Sequence, residues 1–314
     1  MKLHGKIVLV TGATGFVGCR TAQRLVSERM GIRGLVRRPV DLPDVTVHIG
    51  DITDAETVLP AMNGVDVVVH CAGVMHGAIR EAAMRVNVDG TRVVLDAALR
   101  SGCERFVYIS TVSAQSVEGH DVVDESIPLR QRGDAYGESK ALAEWAVWEA
   151  ADNGLQVTVL RPPAILGVAP TAYWSVGMAY RIASGAFALP GDGGATPPYV
   201  HVDNLIDAIL LVLSSDTAIG QVYNIIDGQT TWLAYTDCFR SWIGIGPLAS
   251  MPLTDAPPGY GWQGRCSGEK AARKLGYVPR ISYEEAMAEA ERYLREAGLV
   301  QGESPPLDAG APVS

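Results

Sequence analysis

A tyrosine and a lysine stand four residues apart in the segment Tyr136-Gly137-Glu138-Ser139-Lys140. On a helix, two residues at this spacing lie on the same face, one turn apart. A free tyrosine has a pKa of about 10, too high for easy proton exchange at neutral pH. A neighbouring ammonium favours the phenolate and lowers this pKa, as general acid–base catalysis requires. The pair therefore predicts an acid/base site, although the same spacing also occurs on ordinary amphipathic helices.

Two further polar positions suit this chemistry. The run Ser110-Thr111-Val112-Ser113 follows a predicted strand, and the carboxyl ends of parallel strands form the usual ligand crevice. We expect the Thr111 hydroxyl to donate a hydrogen bond to a substrate carbonyl oxygen beside Tyr136; ordinary strand-end turn chemistry is the alternative. Asn87 lies in a predicted helix, where asparagine is unfavourable, so it has either a polar role or an exposed helical position.

A glycine-rich turn lies near the start of the chain, in Thr11-Gly12-Ala13-Thr14-Gly15-Phe16-Val17-Gly18. An apolar run precedes it and a helix-capable segment follows, so it joins a strand to a helix. Gly12 allows the turn, Gly15 lets the backbone approach a pyrophosphate, and Gly18 lets the helix pack closely on the strand. The N–H groups and positive dipole end of the helix then face the phosphates. The spacing differs from GxGxxG, and a turn without a ligand is the alternative.

The rest of the chain alternates strands and helices, which implies an α/β fold with a Rossmann-type doubly wound parallel sheet. Strands are predicted at residues 7–10, 32–36, 45–49, 65–70, 105–109, 156–160 and 221–226, and helices at residues 54–62, 80–101, 136–152 and 203–213. We assign residues 1–165 to a dinucleotide-binding core, which a later segment at about residues 199–227 completes. Residues 166–198 and 228–301 form a small C-terminal substrate-binding lobe, and residues 302–314 a disordered tail.

Composition indicates a globular protein without a nucleic-acid or membrane partner. The 314 residues are 47% hydrophobic and 19% charged, with a net charge of −9. An acidic chain is a poor partner for nucleic acid or an anionic membrane, and its apolar runs are too short to span a bilayer. We see no signal peptide in residues 1–6, and five scattered cysteines are typical of reduced thiols in a cytoplasmic protein. Six scattered histidines show no ligand spacing, so we expect no metal site.

Taken in order, the motifs resemble the extended branch of the short-chain dehydrogenase/reductase family over about residues 5–297. The resemblance implies that Tyr136 is the catalytic acid/base and that Lys140 tunes it and holds the nicotinamide ribose. It implies that Asn87 orders a water or a backbone carbonyl that connects Lys140 to solvent. The position that is usually a catalytic serine in this family corresponds to Thr111, and Ser113 is the alternative. The motifs that carry the resemblance are Thr11–Gly18, Gly50-Asp51-Ile52-Thr53-Asp54 on the adenine side, His70-Cys71-Ala72-Gly73 beside the cofactor, Val86-Asn87-Val88-Asp89-Gly90-Thr91, Tyr136–Lys140, and Leu160-Arg161-Pro162-Pro163 at the nicotinamide.

Within that branch, residues 183–193 and 199–204 resemble the 3β-hydroxysteroid dehydrogenase and dihydroflavonol reductase group. Sugar-nucleotide epimerases usually carry an arginine just before the second segment, where Pro197-Pro198 stand here. An uncharged pocket favours a steroid-, flavonoid- or polyketide-like carbonyl, so we expect a ketone/secondary-alcohol oxidoreductase. A nucleotide-sugar epimerase or dehydratase with tightly bound NAD stays open, as does a non-catalytic dinucleotide sensor, and a homodimer fits the resemblance.

The second strand bears on the choice of cofactor. NAD-binding folds of this type place an acid at the end of this strand, where it accepts from the ribose 2′-hydroxyl. Here the strand ends in Arg37-Arg38. Because a guanidinium binds phosphate in a bidentate manner, we expect NADP rather than NAD, with Arg37 or Arg38 at the 2′-phosphate. Two alternatives are a solvated strand end and a contact from Asp41 or Asp44 to the ribose.

Overall fold

The computed structural model of the protein describes residues 4–75, 77–131 and 133–300. The predicted tail at residues 302–314 lies outside the described residues. Residues 1–3, part of the segment in which no signal peptide was expected, lie outside them too.

A sheet of seven parallel strands forms the centre of the fold. Its spatial order is β7-β6-β5-β4-β1-β2-β3, so the chain winds outward from β1 in both directions, as the alternating pattern predicts. The order reverses between β1 and β4, and the carboxyl ends of these strands open the crevice in which such sheets bind ligands. The strands are β1 Ile7–Thr11, β2 Gly31–Val36, β3 Val45–Ile49, β4 Val67–His70, β5 Arg105–Ile109, β6 Gln156–Arg161 and β7 Gln221–Asn224.

Helices cover both faces of the sheet. One apolar core packs α1 and α7 against the sheet, and the other packs α2, α4 and α5 against its opposite face. This arrangement explains why the central strands are apolar on both sides. The helices are α1 Phe16–Ser27, α2 Ala55–Met62, α3 Arg80–Ala83, α4 Gly90–Arg100, α5 Ala135–Asp152, α6 Met178–Ala183, α7 Val202–Ser214, α8 Trp232–Ile243, α9 Glu269–Leu275 and α10 Tyr283–Glu296.

The long helix predicted at residues 80–101 is interrupted. A wider π-helical turn, Met84–Asp89, separates α3 from α4 and contains Asn87. A π turn inserts one extra residue and often occurs at a functional position. The sequence predicts the helix but not the turn, because apolar periodicity continues through both.

A smaller lobe has its own core, built mainly from α6, α8 and α10. Short strands connect the lobe to the sheet domain. They are Ala164–Leu166, Pro198–His201 and Gly228–Gln229 in one sheet, Leu189–Pro190 with Ser250–Met251 in a second, and Val122–Val123 with Arg265–Cys266 in a third. Among the described residues, no helix is both long enough and apolar enough to cross a membrane.

Candidate active site

The N-terminus of α5 holds the Tyr–Lys pair against the segment that follows β5. Asp134 caps the helix, since its carboxylate accepts a 3.0 Å hydrogen bond from the Gly137 N–H. A Cβ on Gly137 would lie 2.5 Å from the Ser113 carbonyl oxygen, so only glycine permits this close approach. The packing brings Tyr136 beside the hydroxyls that follow β5.

The Thr111 side chain lies close enough to the Tyr136 hydroxyl to favour its phenolate. The Thr111 oxygen also accepts a 3.1 Å hydrogen bond from the Ser113 N–H. The hydroxyl beside the tyrosine is therefore that of Thr111, and Ser113 contributes a backbone group to it.

The pKa of Tyr136 differs from the expectation. Burial raises it to about 12, the Thr111 side chain lowers it, and the Asp134 carboxylate raises it further. We expected a neighbouring ammonium to lower this pKa, and that expectation is wrong for the structure described here. Desolvation disfavours the phenolate, and the Lys140 ammonium is held elsewhere.

The ammonium of Lys140 binds the end of β5. It donates a 2.6 Å hydrogen bond to the Ile109 carbonyl and lies 4.2 Å from the centre of the Tyr108 ring. Burial lowers the pKa of Lys140 to about 7, while the Glu144 carboxylate opposes this shift. The lysine therefore titrates near neutral pH, where a small change in its surroundings alters its charge.

Glu144 belongs to a buried polar group that sequence reasoning missed. Its carboxylate accepts hydrogen bonds from Arg161 at 2.5 and 3.1 Å and from the Ser110 hydroxyl at 2.8 Å. Glu144 lies one turn after Lys140 on α5, while Arg161 ends β6. The ion pair fastens α5, the helix that carries the Tyr–Lys pair, to the sheet. The spacing of four residues from Lys140 was the available signal, but the partner strand could not be identified from it.

The glycine-rich turn has the geometry that a dinucleotide requires. Gly12 has a φ of +68°, and a Cβ on it would lie 2.9 Å from the backbone of Ala72 in the segment after β4. A Cβ on Gly18 would lie 2.2 Å from the Gly12 carbonyl oxygen, so α1 packs directly on the turn. Gly15 begins α1 without a side-chain cap, which leaves the helix N-terminus suited to an anion. This open, uncapped cradle fits a pyrophosphate.

The adenine-side residues lie further out. Asp51 accepts hydrogen bonds from the Thr53 N–H at 2.9 Å and from the Thr53 hydroxyl at 2.8 Å, and these bonds lower its pKa. The charge of Arg37 adds to that lowering, so Arg37 lies within electrostatic range of Asp51. Arg37 and Arg38 are both exposed after β2, while Ile52 is buried beneath this edge.

The side chain of Asn87 is engaged by the cofactor-side loop rather than by Lys140. Its Oδ1 accepts from the Val74 N–H at 2.8 Å, and its Nδ2 donates to the Val74 carbonyl at 3.1 Å and to the Ser139 hydroxyl at 2.9 Å. Both amide hydrogens are thus in use. The structure assigns the side chain to positioning, and the expected link between Lys140 and solvent stays a prediction.

His70 is a buried neutral residue in the same region. The Thr91 hydroxyl donates to the Asn87 carbonyl at 2.6 Å, so it accepts from His70 Nε2 at 3.0 Å. His70 Nδ1 then accepts from the Thr11 hydroxyl at 2.7 Å. Burial lowers the pKa of His70 to about 3, so the ring orders the end of β4 without carrying charge.

One cavity of about 360 Å³ joins these elements. It brings together the phosphate-binding turn, the segment after β4 and the Tyr–Lys pair. Of the residues selected from the sequence, those that line it are Gly12, Gly15, Phe16, Val17, Cys71, Ala72, Gly73, Thr111, Tyr136, Lys140 and Pro162. Those outside its lining are Thr14, Arg37, Arg38, Asp51, Ile52 and Asn87. Ser113 also lines the cavity, so exposure to it does not separate the two candidate hydroxyls.

The lobe contributes an aromatic wall to this cavity, which sequence reasoning also missed. Trp232 stacks on Tyr260 at 4.8 Å between ring centres and contacts Trp174 at 6.0 Å. The Trp232 indole N–H is bound by the Tyr260 carbonyl, and the Trp262 indole N–H by the His120 carbonyl. These hydrogen bonds are internal to the protein, so the tryptophans offer the cavity their apolar rings. Spread over ninety residues of sequence, the aromatics show no local pattern.

Two other features define the polarity of the cavity. Pro197 and Pro198 line it where an arginine would be expected in a nucleotide-sugar enzyme. The charged pair Arg130 and Asp134 also reaches it, and the two side chains are ion-paired at 3.1 Å. Among the described residues, no group of three or more His, Cys, Asp or Glu side chains could hold a metal ion.

Comparison with known proteins agrees with this geometry. A 3-beta-hydroxysteroid dehydrogenase from Mycolicibacterium neoaurum is 29% identical over 98% of this chain and 97% of that protein. A 4-hydroxy-2-methyl-3-oxo-4-farnesyl-3,4-dihydroquinoline-1-oxide ketoreductase from Stigmatella aurantiaca is 29% identical over 92% of this chain and 96% of that protein. The crystal structure of a dTDP-glucose 4,6-dehydratase from Streptomyces venezuelae, with NAD bound, has a TM-score of 0.79 at 26% identity, covering 92% of this chain and 97% of that one.

These relatives act on CH–OH or C=O groups, and the chain is an enzyme of that kind. The sequence model of the NAD dependent epimerase/dehydratase family matches residues 8–225, which is more than half of the chain. The protein therefore belongs to the NAD dependent epimerase/dehydratase family, within the extended short-chain dehydrogenases/reductases.

Proposed function

We propose that the protein is an NAD(P)-dependent oxidoreductase that interconverts a ketone and a secondary alcohol on a mostly apolar small molecule. The observation that carries this proposal is the position of Tyr136. Next to Thr111, it lines the cavity that joins the phosphate-binding turn to the aromatic wall. An acid/base group, a cofactor cradle and an apolar substrate surface thus meet in one space.

The residues divide the work of the reaction. A nicotinamide cofactor bound in this cradle supplies or accepts the hydride. In the reductive direction, the Tyr136 hydroxyl gives its proton to the carbonyl oxygen, and in the oxidative direction the phenolate takes it back. The Thr111 oxygen accepts from the Ser113 N–H, so its hydroxyl hydrogen serves as the donor to the substrate oxygen as negative charge grows there. Lys140 holds the ribose and supplies positive charge when it is protonated.

The aromatic wall of the cavity supports the proposed class of substrate. The Trp174, Trp232 and Tyr260 rings give an apolar surface, and Pro197-Pro198 offer no guanidinium for a diphosphate. These features favour a steroid-, flavonoid- or polyketide-like carbonyl. The test is to screen such ketones, beside nucleotide sugars, for oxidation of NADH and NADPH. Turnover of an apolar ketone supports the proposal, and turnover of nucleotide sugars alone overturns it.

We also propose a preference for NADP. Arg37 and Arg38 are exposed at the end of β2, beside Asp51 and without an acid at the usual ribose position. A guanidinium there suits a 2′-phosphate. The NAD bound to the Streptomyces venezuelae dehydratase points the other way and makes the comparison of dissociation constants decisive.

A second candidate is a nucleotide-sugar epimerase or dehydratase, favoured by the fold shared with that dehydratase. Such an enzyme regenerates its cofactor within each turnover. NAD that co-purifies with the protein, together with conversion of a nucleotide sugar without added cofactor, would identify it. A non-catalytic dinucleotide sensor has no need of the Tyr136–Lys140 pair, whose presence argues against that function. For the assembly we propose a homodimer, which the mass in solution tests.

A further inference from the structure

Arg130 is a buried arginine between the two groups that hold the substrate oxygen. Only 7% of the residue is exposed. Its Nε and Nη2 donate to the Gln115 carbonyl at 3.3 and 3.1 Å, and its backbone N–H donates to the Ala114 carbonyl at 2.8 Å. Arg130 is therefore bound to the segment that begins at Thr111.

The other side of the same guanidinium binds the start of α5. Arg130 Nη1 donates to Asp134 Oδ2 at 3.1 Å, while Asp134 Oδ1 caps the helix at the Gly137 N–H. Gly133 has a φ of +151°, and a Cβ on Gly137 would lie 2.5 Å from the Ser113 carbonyl oxygen, so the backbone favours glycine at both positions next to this side chain. One arginine thus connects the threonine segment to the tyrosine helix.

The charge of Asp134 matters because of where it lies. Two residues before Tyr136, its carboxylate disfavours the phenolate that proton exchange requires. Among the described residues, the charged and titratable groups near the tyrosine include Tyr108 on β5, Arg130 in the preceding loop and Lys140, one turn further along α5. Arg130 is bound directly to the Asp134 carboxylate.

We propose that Arg130 is a positioning residue for the acid/base pair, one that sets Tyr136 against Thr111 and cancels the charge of Asp134 beside the phenolate. This inference rests on the proposed function, because it assigns the proton exchange to Tyr136. A purely structural arginine would stabilise the loop in the same way, but its loss would not move the pH at which the tyrosine ionises.

The test compares four variants by the pH dependence of kcat for alcohol oxidation. They are Arg130→Met, Asp134→Asn, the double variant, and Arg130→Lys. Asparagine still caps the helix, so Asp134→Asn removes the charge while keeping the cap. Alcohol oxidation needs the phenolate, so kcat falls as the pH drops through the pKa that Tyr136 has in the complex with substrate and oxidised cofactor. The positive charge of the oxidised nicotinamide favours the phenolate and brings this pKa below its value in the unliganded protein.

We expect Arg130→Met to move this acid limb upward by about one pH unit, because the carboxylate is no longer neutralised. Asp134→Asn moves it downward, the double variant returns it close to the wild-type position, and Arg130→Lys leaves it in place with a lower kcat. The inference is overturned if the acid limb of the kcat profile stays in place in Arg130→Met. It is also overturned if adding Asp134→Asn to Arg130→Met does not reverse the shift. If Arg130→Met fails to fold, an unmoved limb in Asp134→Asn alone overturns it.

The inference stays testable if the wild type turns over no alcohol, an outcome that counts against the proposed function alone. In that case the ionisation of Tyr136 is followed by NMR of ζ-carbon-labelled tyrosine in the complex with NAD or NADP, with Tyr136→Phe as the assignment control. If the midpoints of the Tyr136 titration in the four variants follow the order expected for the acid limbs, the role of Arg130 is supported. Equal midpoints in all variants contradict it.

Discussion

The Lys140 ammonium is bound to the carbonyl of Ile109, the last residue of β5, at 2.6 Å. This bond ties the lysine of the Tyr–Lys pair to the strand whose end carries Thr111. Lys140 is thus a structural donor, and we propose that it also binds the nicotinamide ribose. Substitution tests the two roles separately.

Lys140→Met should reduce both turnover and cofactor affinity. The variant loses a charged donor at the cavity wall, and a hydrogen bond from a charged group is worth about 1.5–3 kcal/mol, or roughly ten- to a hundredfold in affinity. Fluorescence titration with each cofactor measures the loss. The exposed Lys274→Met is the control, and an unaltered dissociation constant in Lys140→Met would count against the dual role.

The same variant should change the pH dependence of stability. The pKa of Lys140 falls from 10.5 to about 7 on folding, because burial disfavours its charge. Between these values the unfolded chain holds a proton that the folded protein lacks, so wild-type stability rises with pH across this window. The stability advantage of Lys140→Met should therefore grow as the pH falls from about 10 to about 7 and then level off. Urea unfolding at several pH values measures it, and a constant difference would contradict the shift.

Tyr136→Phe should abolish turnover with cofactor affinity nearly intact, since only the transferable proton is lost. Acid–base catalysis contributes about 100- to 10,000-fold, so the residual rate should be at least about a hundredfold lower. Steady-state kinetics measure the loss of turnover, and cofactor titration measures the affinity. Tyr180→Phe, at a half-exposed position on α6, is the matched control. Activity within a few-fold of wild type would refute the assignment of the acid.

Thr111→Val should lower the rate by about one to three orders of magnitude, as expected for the loss of one oxyanion donor. Valine has the shape of threonine without its hydroxyl, and Thr111→Ser should restore most of the activity. Because Thr111, and not Ser113, is the side chain that affects the Tyr136 hydroxyl, Ser113→Ala should be much milder. If Thr111→Val keeps its activity while Ser113→Ala loses it, then Ser113, and not Thr111, supplies the hydroxyl that donates to the substrate oxygen.

Arg37→Ala should weaken NADPH much more than NADH, by roughly tenfold or more, since only NADPH carries the 2′-phosphate. Arg38→Ala tests the neighbouring candidate, and the exposed Arg292→Ala on α10 serves as the control. Dissociation constants for both cofactors decide the matter. Equal affinities in the wild type, or a preference for NADH, would overturn the proposal.

The sheet domain could be predicted because its signals are local. The β3 strand coincides with the predicted residues 45–49, and Asp54 caps α2 by accepting from the Glu56 N–H. A continuous apolar run predicts a strand covered on both faces, and a capping residue predicts where a helix begins. The π-helical turn around Asn87 was not predicted, because the apolar periodicity continues through it and the partner of Asn87, Val74, lies thirteen residues away.

The same difference between local and long-range signals separates the residues of the candidate site that could be predicted from those that could not. Gly12, Tyr136 and Lys140 stand in short motifs whose spacing carries the chemistry, and all three line the cavity. Arg130 stands in a polar loop that could equally be solvated, and its role depends on the Gln115 carbonyl across the loop. The pKa of Tyr136 needed the folded structure as well, because burial outweighs the charge that the sequence places nearby.

The bonds from Asn87 to Val74 and Ser139 have a mechanical consequence. They join the cofactor-side loop and the tyrosine helix to the same side-chain amide, so each of these two segments restrains the other. The opposite roof, with Trp174 and Trp232, belongs to a lobe with a separate core. A movement of the lobe relative to the sheet domain would therefore shift the aromatic rings while leaving the two segments joined by Asn87 in their mutual alignment.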